Sequence, residues 1–150
     1  METGLQPQKA KPEFHATFAA DLSAIDPVVE GVMEAAKSSE ATLGRELEIE
    51  TSLREALANA IIHGCGKDST KNVHCTAEER NGEFTITVID PGGRLDLAKI
   101  PDPTRQENLA LGHGRGVHMM NVFMDQVQVT VDKGRKTEVR MTVRKRSPGE

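Results

Sequence analysis

Cysteine is scarce in this chain, long apolar runs are absent, and positive charge is not in excess; each shortage removes a class of protein. The two cysteines, Cys65 and Cys75, are too few for a disulfide framework, so a reduced, cytoplasmic setting is expected. No run of apolar residues is long enough to cross a bilayer, so no membrane partner is expected. The opening METGLQPQKAKPEF lacks the apolar centre of a signal peptide, and residues 1–12 read as a flexible leader. Nineteen basic residues against 23 acidic ones give a net charge of −4, which argues against direct nucleic-acid binding by bulk charge. The basic residues that gather from Arg135 through Arg146 read as the solvent face of a strand and a frayed tail.

Two motifs are also missing. No GxxxxGK[ST] phosphate loop occurs; GCGKDS at 64–69 is too short in its spacing and follows a helix rather than a strand. His63, Cys65, His74 and Cys75 are zinc-binding residue types, but His74 and Cys75 are neighbours in an expected strand and point to opposite faces, so they cannot close a tetrahedron together.

What is present suits one globular domain over residues 13–146, followed by a short tail at 147–150: the chain has 150 residues, 37 % apolar and 28 % charged. Glu13 to Ala20 alternates like a strand, with Phe14, Ala16 and Phe18 on one face. Asp26-Pro27 signals a helix start, and Val28, Val29, Val32, Met33 and Ala36 recur at helical spacing. A second helix is expected from Leu43 or Arg45 to His63, ended by Gly64. VHCTAEERNGEFTITVID is a hairpin turning at Asn81-Gly82, where both turn residues need positive φ. Leu95 to Gly116 has little periodicity, Val117 to Met124 reads as a short helix, and the valines after Gln126 start a second hairpin. Alternating strands plus about three helices predict an α/β two-layer sandwich, its mixed, mostly antiparallel sheet covered on one face.

The second helix carries an anomaly. On a wheel with Leu53 at zero, Ala56, Leu57, Ala60 and Ile61 face the core, while Glu55, Asn59 and His63 fall at about 200°, 240° and 280°. Ala58 and Ile62 border this stripe, as in a pocket wall; alternatively the polar residues are surface groups on an alanine-rich helix. Further on, Asp90 ends an apolar strand and is followed by Pro91-Gly92-Gly93, and GHGRG places glycines 112, 114 and 116 ahead of a helix, where backbone N–H groups can hold an anion.

The order of these pieces resembles the GHKL ATPases, the superfamily of DNA gyrase and the sensor histidine kinases: EALANAIIHG looks like the first ATP-binding box, DPGG the second, GHGRG the third, and Thr137 the closing threonine. PDPTRQEN, GRGVHMMNVFMDQV and TEVRM are most similar to the anti-sigma-factor serine/threonine kinases of bacterial stress and sporulation control. Arg94 stands at the last glycine of the second box, and Lys136 where a glycine usually precedes the threonine. The resemblance implies the histidine-kinase-like ATPase fold, with ATP and Mg²⁺ as cofactors. It implies Glu55 as general base, Asn59 as Mg²⁺ ligand, and Asp90, Gly92 and Thr137 around adenine. Gly112, Gly114, Arg115 and Gly116 would surround the phosphates. His63 is either a cap on the helix end or a ligand contact. The implied partners are a sigma factor, an anti-sigma-factor antagonist protein phosphorylated on serine or threonine, and a second copy in a homodimer. Two alternatives stay open: a partner-switching kinase without a sigma-factor target, and a docking module that binds nucleotide without transfer.

Overall fold

Strict alternation builds five strands whose inner faces are apolar, and this periodicity explains the sheet. The computed structural model describes residues 12–92, 120–132 and 135–145; the leader, the tail, Arg94 and the segment from Leu95 to Gly116 fall outside it, apart from Pro12. The strands are β1 (Glu13–Ala19), β2 (Asn72–Arg80), β3 (Glu83–Asp90), β4 (Gln126–Asp132) and β5 (Lys136–Arg144). Their order is β1-β2-β3-β5-β4. The mostly antiparallel sheet expected from sequence is antiparallel at every described pairing. The β2–β3 turn is the expected one, with φ of 54° at Asn81 and 79° at Gly82.

Helices α1 (Ile25–Lys37) and α2 (Glu46–Asn59) cover one face, and residues 120–123 add a helical turn. Val28, Val29, Val32 and Ala36 of α1 and Leu53, Ala56 and Leu57 of α2 are buried, which is the stripe their spacing predicts, and Ile49 joins them. They pack on Val73, Cys75 and Ala77 of β2, Phe84, Ile86 and Val88 of β3, and Met141 and Val143 of β5. The opposite face of the sheet carries threonines and charged residues; Thr85 and Thr142 hydrogen-bond across β3 and β5 at 3.2 Å. Arg135, Lys136, Arg140, Arg144 and Lys145 are all exposed, as the solvent-face reading of the basic run expects.

The α-helix does not run to His63. It ends at Asn59 and continues as a π turn over Ala60–Gly64. The Cys65 N–H donates to the carbonyl of Ala60 at 2.9 Å, five residues back, and Lys67 N–H to that of Ile61 at 2.8 Å. Widening a helix by one residue per turn rotates everything beyond it, and π turns of this kind are frequent at functional sites.

Candidate functional site

Glu55 and Asn59 lie one turn apart on α2 and are both half-buried, as are Ala58 and Ile62 beside them. Two residues of the polar stripe therefore share one half-buried face of α2. The third does not: His63 is exposed, because the π turn carries it away from the stripe. The same rotation delivers Gly64, which is buried, against the side chain of Asp90. A Cβ on Gly64 would overlap Cγ and both carboxylate oxygens of Asp90, and one on Gly92 would overlap the carbonyl of Gly64. Both positions tolerate only hydrogen.

Asp90 is the last residue of β3 and points to the helix-covered face, 5 % exposed. The Gly92 N–H donates to its Oδ1 at 2.8 Å. Burial pushes the Asp90 carboxyl up from the ordinary range, and the Gly92 N–H pulls it partly back. Directly across the strand pair stands Thr137, 4 % exposed, whose Oγ1 has no hydrogen-bond partner among the described residues. Buried hydroxyls in native proteins are paired, so this one calls for a partner beyond the described residues: a ligand, a water or another part of the chain. A buried carboxylate that accepts and a buried hydroxyl beside it, with Gly64 and Gly92 packed closely against the carboxylate, offer hydrogen-bonding groups that suit a ligand carrying a donor.

Gly64 is the residue whose part in this site the sequence hid. Its position after the stripe marks the end of a helix, and nothing local reveals that it touches a carboxylate 26 positions away. Gly112, Gly114, Arg115 and Gly116 lie outside the described residues. The disfavoured zinc group is split as its spacing demands: His74 is exposed and its Nδ1 lies 2.7 Å from Thr17 Oγ1, while Cys75 is buried on the opposite face. Burial pushes the Cys75 thiol up to about 12. No described helix is long and apolar enough to cross a membrane.

One layer of helices covers the antiparallel sheet, and a buried carboxylate at the end of β3 packs against Gly64, the last residue of the π turn that follows α2. Residues 18–143 match the histidine kinase-like ATPase domain, and the chain belongs to that family. Within it, the chain is 35 % identical over 103 residues to the anti-sigma F factor of Clostridium perfringens (strain SM101 / Type A), covering 67 % of this chain and 73 % of that protein. It is 34 % identical over 131 residues to the anti-sigma F factor of Thermoanaerobacter sp. (strain X514), covering 85 % of this chain and 78 % of that protein. The anti-sigma F factor of Clostridium botulinum (strain Eklund 17B / Type B) is 33 % identical over 103 residues.

Proposed function

We propose that this chain is an ATP-dependent protein serine/threonine kinase and anti-sigma factor, which phosphorylates an antagonist protein and holds a sigma factor inactive as a homodimer. The observation that carries the nucleotide part is the Asp90–Thr137 pair with Gly64 and Gly92 packed against it: a buried carboxylate with one oxygen held by a backbone N–H, beside a buried hydroxyl that has no partner among the described residues. Adenine fits that chemistry. Its amino group donates to Asp90, Thr137 supports the same edge, and the ring passes the two glycine backbones.

Asn59 and Glu55 divide the remaining work. Asn59 would hold Mg²⁺ through its amide oxygen, a fit for a cation that takes few protein ligands when it is bound together with phosphates. When bound, the metal neutralises charge developing on the phosphates. Glu55, one turn away on the half-buried wall, accepts the proton of the attacking serine or threonine hydroxyl. Gly112, Gly114 and Gly116 supply backbone N–H groups to the phosphates, and Arg115 adds charge. The name shared by the relatives supports the sigma-factor and antagonist partners.

The test is a pull-down from the native cell with and without ATP, identified by mass spectrometry, followed by transfer of radiolabelled phosphate to the recovered antagonist. A sigma factor in the bound fraction and label on serine or threonine are expected. Recovery of an antagonist without a sigma factor would leave a partner-switching kinase and remove the anti-sigma role.

A further inference from the structure

The two edges of the sheet differ. β1 forms one and β4 the other, and among the described residues no strand pairs beyond either. An edge offers unpaired N–H and C=O groups, which proteins blunt with charge, proline or a bulge. β1 is blunted at its start: Pro12 stands before it, and Glu13 opens it, 3.7 Å from His15 Nε2. β4 reads QVQVTVD. From Gln126 to Val131 it holds no charged residue, no proline and no glycine. Its pairing with β5 runs without a bulge from Gln126 to Asp132. That composition favours strand pairing.

The bare edge is also held in place. Just before it, the Asp125 N–H donates to the Thr142 carbonyl at 2.9 Å, and Asp125 Oδ2 accepts the Arg144 N–H at 2.7 Å. Arg45, 4 % exposed, donates to Asp125 Oδ2 at 3.2 Å and to the Phe123 carbonyl at 2.5 Å. A strand fixed this way gives up little freedom when a partner pairs with it. Val127, Val129 and Val131 lie half-buried on the helix-covered side, while Gln126, Gln128 and Thr130 are exposed on the other. The strand is its own complement. Set a second β4 antiparallel with Val129 opposite Val129, and Val127 meets Val131, Gln128 meets Thr130, and Gln126 meets Asp132. Valines then face valines, and the one charge, Asp132, meets an amide instead of its own copy. A slip of one residue would turn one valine row to the polar side, so the register is specified.

We propose that β4 is a docking edge for a second copy of this chain, which pairs along Gln126–Asp132 about Val129 and continues the sheet from one copy into the other, with both helix layers on the same side. This rests on the homodimer in the reading above and gives it a place. A seven-residue edge is short against the roughly 1,000 Å² that a stable interface needs. The dimer is therefore weak and forms and dissociates with concentration.

The experiment is sedimentation equilibrium of the full chain over a range of concentrations, with thermal unfolding as the check on folding. Gln128→Lys with Thr130→Lys changes two exposed side chains and sets like charges opposite each other twice across the axis. The dimer dissociation constant should rise by about 2- to 30-fold, from two repelling cross-strand pairs. Each single substitution opposes no like charge and should move it less. Mixing the lysine variant with Gln128→Glu, Thr130→Glu should restore association. The matching change on β1, His15→Lys with Thr17→Lys, should leave the constant as it is. A wild-type constant in the β4 double variant, no rescue on mixing, or a loss confined to the β1 variant overturns the assignment to β4 and leaves the homodimer standing. A wild-type chain that stays monomeric throughout overturns the homodimer and this inference with it.

Discussion

Replacing Asp90 by asparagine should change which base the protein reads, and should do so without loosening the fold. The amide keeps the shape of the carboxylate, so its Oδ1 can still accept the Gly92 N–H that now sits at 2.8 Å. The NH₂ then takes the position of the second carboxylate oxygen and faces the amino group of adenine, donor against donor. Losing a hydrogen bond to a charged acceptor costs about 1.5–3 kcal/mol, or roughly 10- to 150-fold in ATP affinity. Inosine triphosphate carries a carbonyl oxygen where adenine carries its amine. The wild type should reject it, and the Asn variant should narrow or reverse that preference. Stability moves the other way. Burial raises the Asp90 carboxyl, so its contribution to stability is fully present below the ordinary aspartate range and is lost as pH rises through the raised folded value. At neutral pH the Asn variant should unfold at or above the wild-type temperature. Calorimetry with both nucleotides and a thermal melt at pH 7 measure the two effects. An Asn variant that binds ATP as the wild type does, with the same ATP-to-inosine-triphosphate ratio, would refute Asp90 as the base reader.

Gly64→Ala should destabilise the domain by about 1–3 kcal/mol in urea unfolding, the usual cost of overpacking, and should weaken ATP binding because the new Cβ displaces the Asp90 carboxylate. Glu55→Gln should slow phosphate transfer by roughly 10²- to 10⁴-fold while fluorescent-nucleotide binding persists; transfer at the wild-type rate would remove Glu55 as the base. ATP affinity measured with EDTA should fall well below that with Mg²⁺, and equal affinities would take Asn59 out of the metal role. Burial pushes the Asp125 carboxyl up, but the Arg144 N–H, the Arg45 hydrogen bond and their charges outweigh it, leaving it below the ordinary range. Its stabilisation is thus present above the ordinary aspartate value and lost as pH falls through the lowered folded value, so Asp125→Asn should flatten the acid side of the stability profile.

Period and turn chemistry made most of the architecture legible. Asn81-Gly82 set one hairpin, alternating valines the other, and the spacing from Leu53 to Ile61 assigned the buried face of the second helix and its π turn correctly. The π turn was not legible, because Ile61, Ile62 and His63 suit an α-helix equally well and the choice is made by contacts with β3. Arg45 was hidden for a related reason. A cation at a helix start predicts an exposed side chain, and only the tertiary fold brings Phe123 and Asp125 to it. Asp90 was visible as a carboxylate ending an apolar strand; its pairing with Thr137, 47 positions later, depends on strand order.

That strand order has a consequence for biosynthesis. β5, the last described strand in the chain, sits between β3 and β4 rather than at an edge. On a ribosome, β1, β2 and β3 can pair as they emerge, but β4 has no neighbour until β5 inserts beside it. Thr137 cannot meet Asp90 before that. The pocket is therefore assembled by one late, non-local closure, a step that is slow and exposed to aggregation. A nascent or truncated chain lacking β5 would expose the apolar edge of β3 and hold no nucleotide, so binding competence reports a fully synthesised domain.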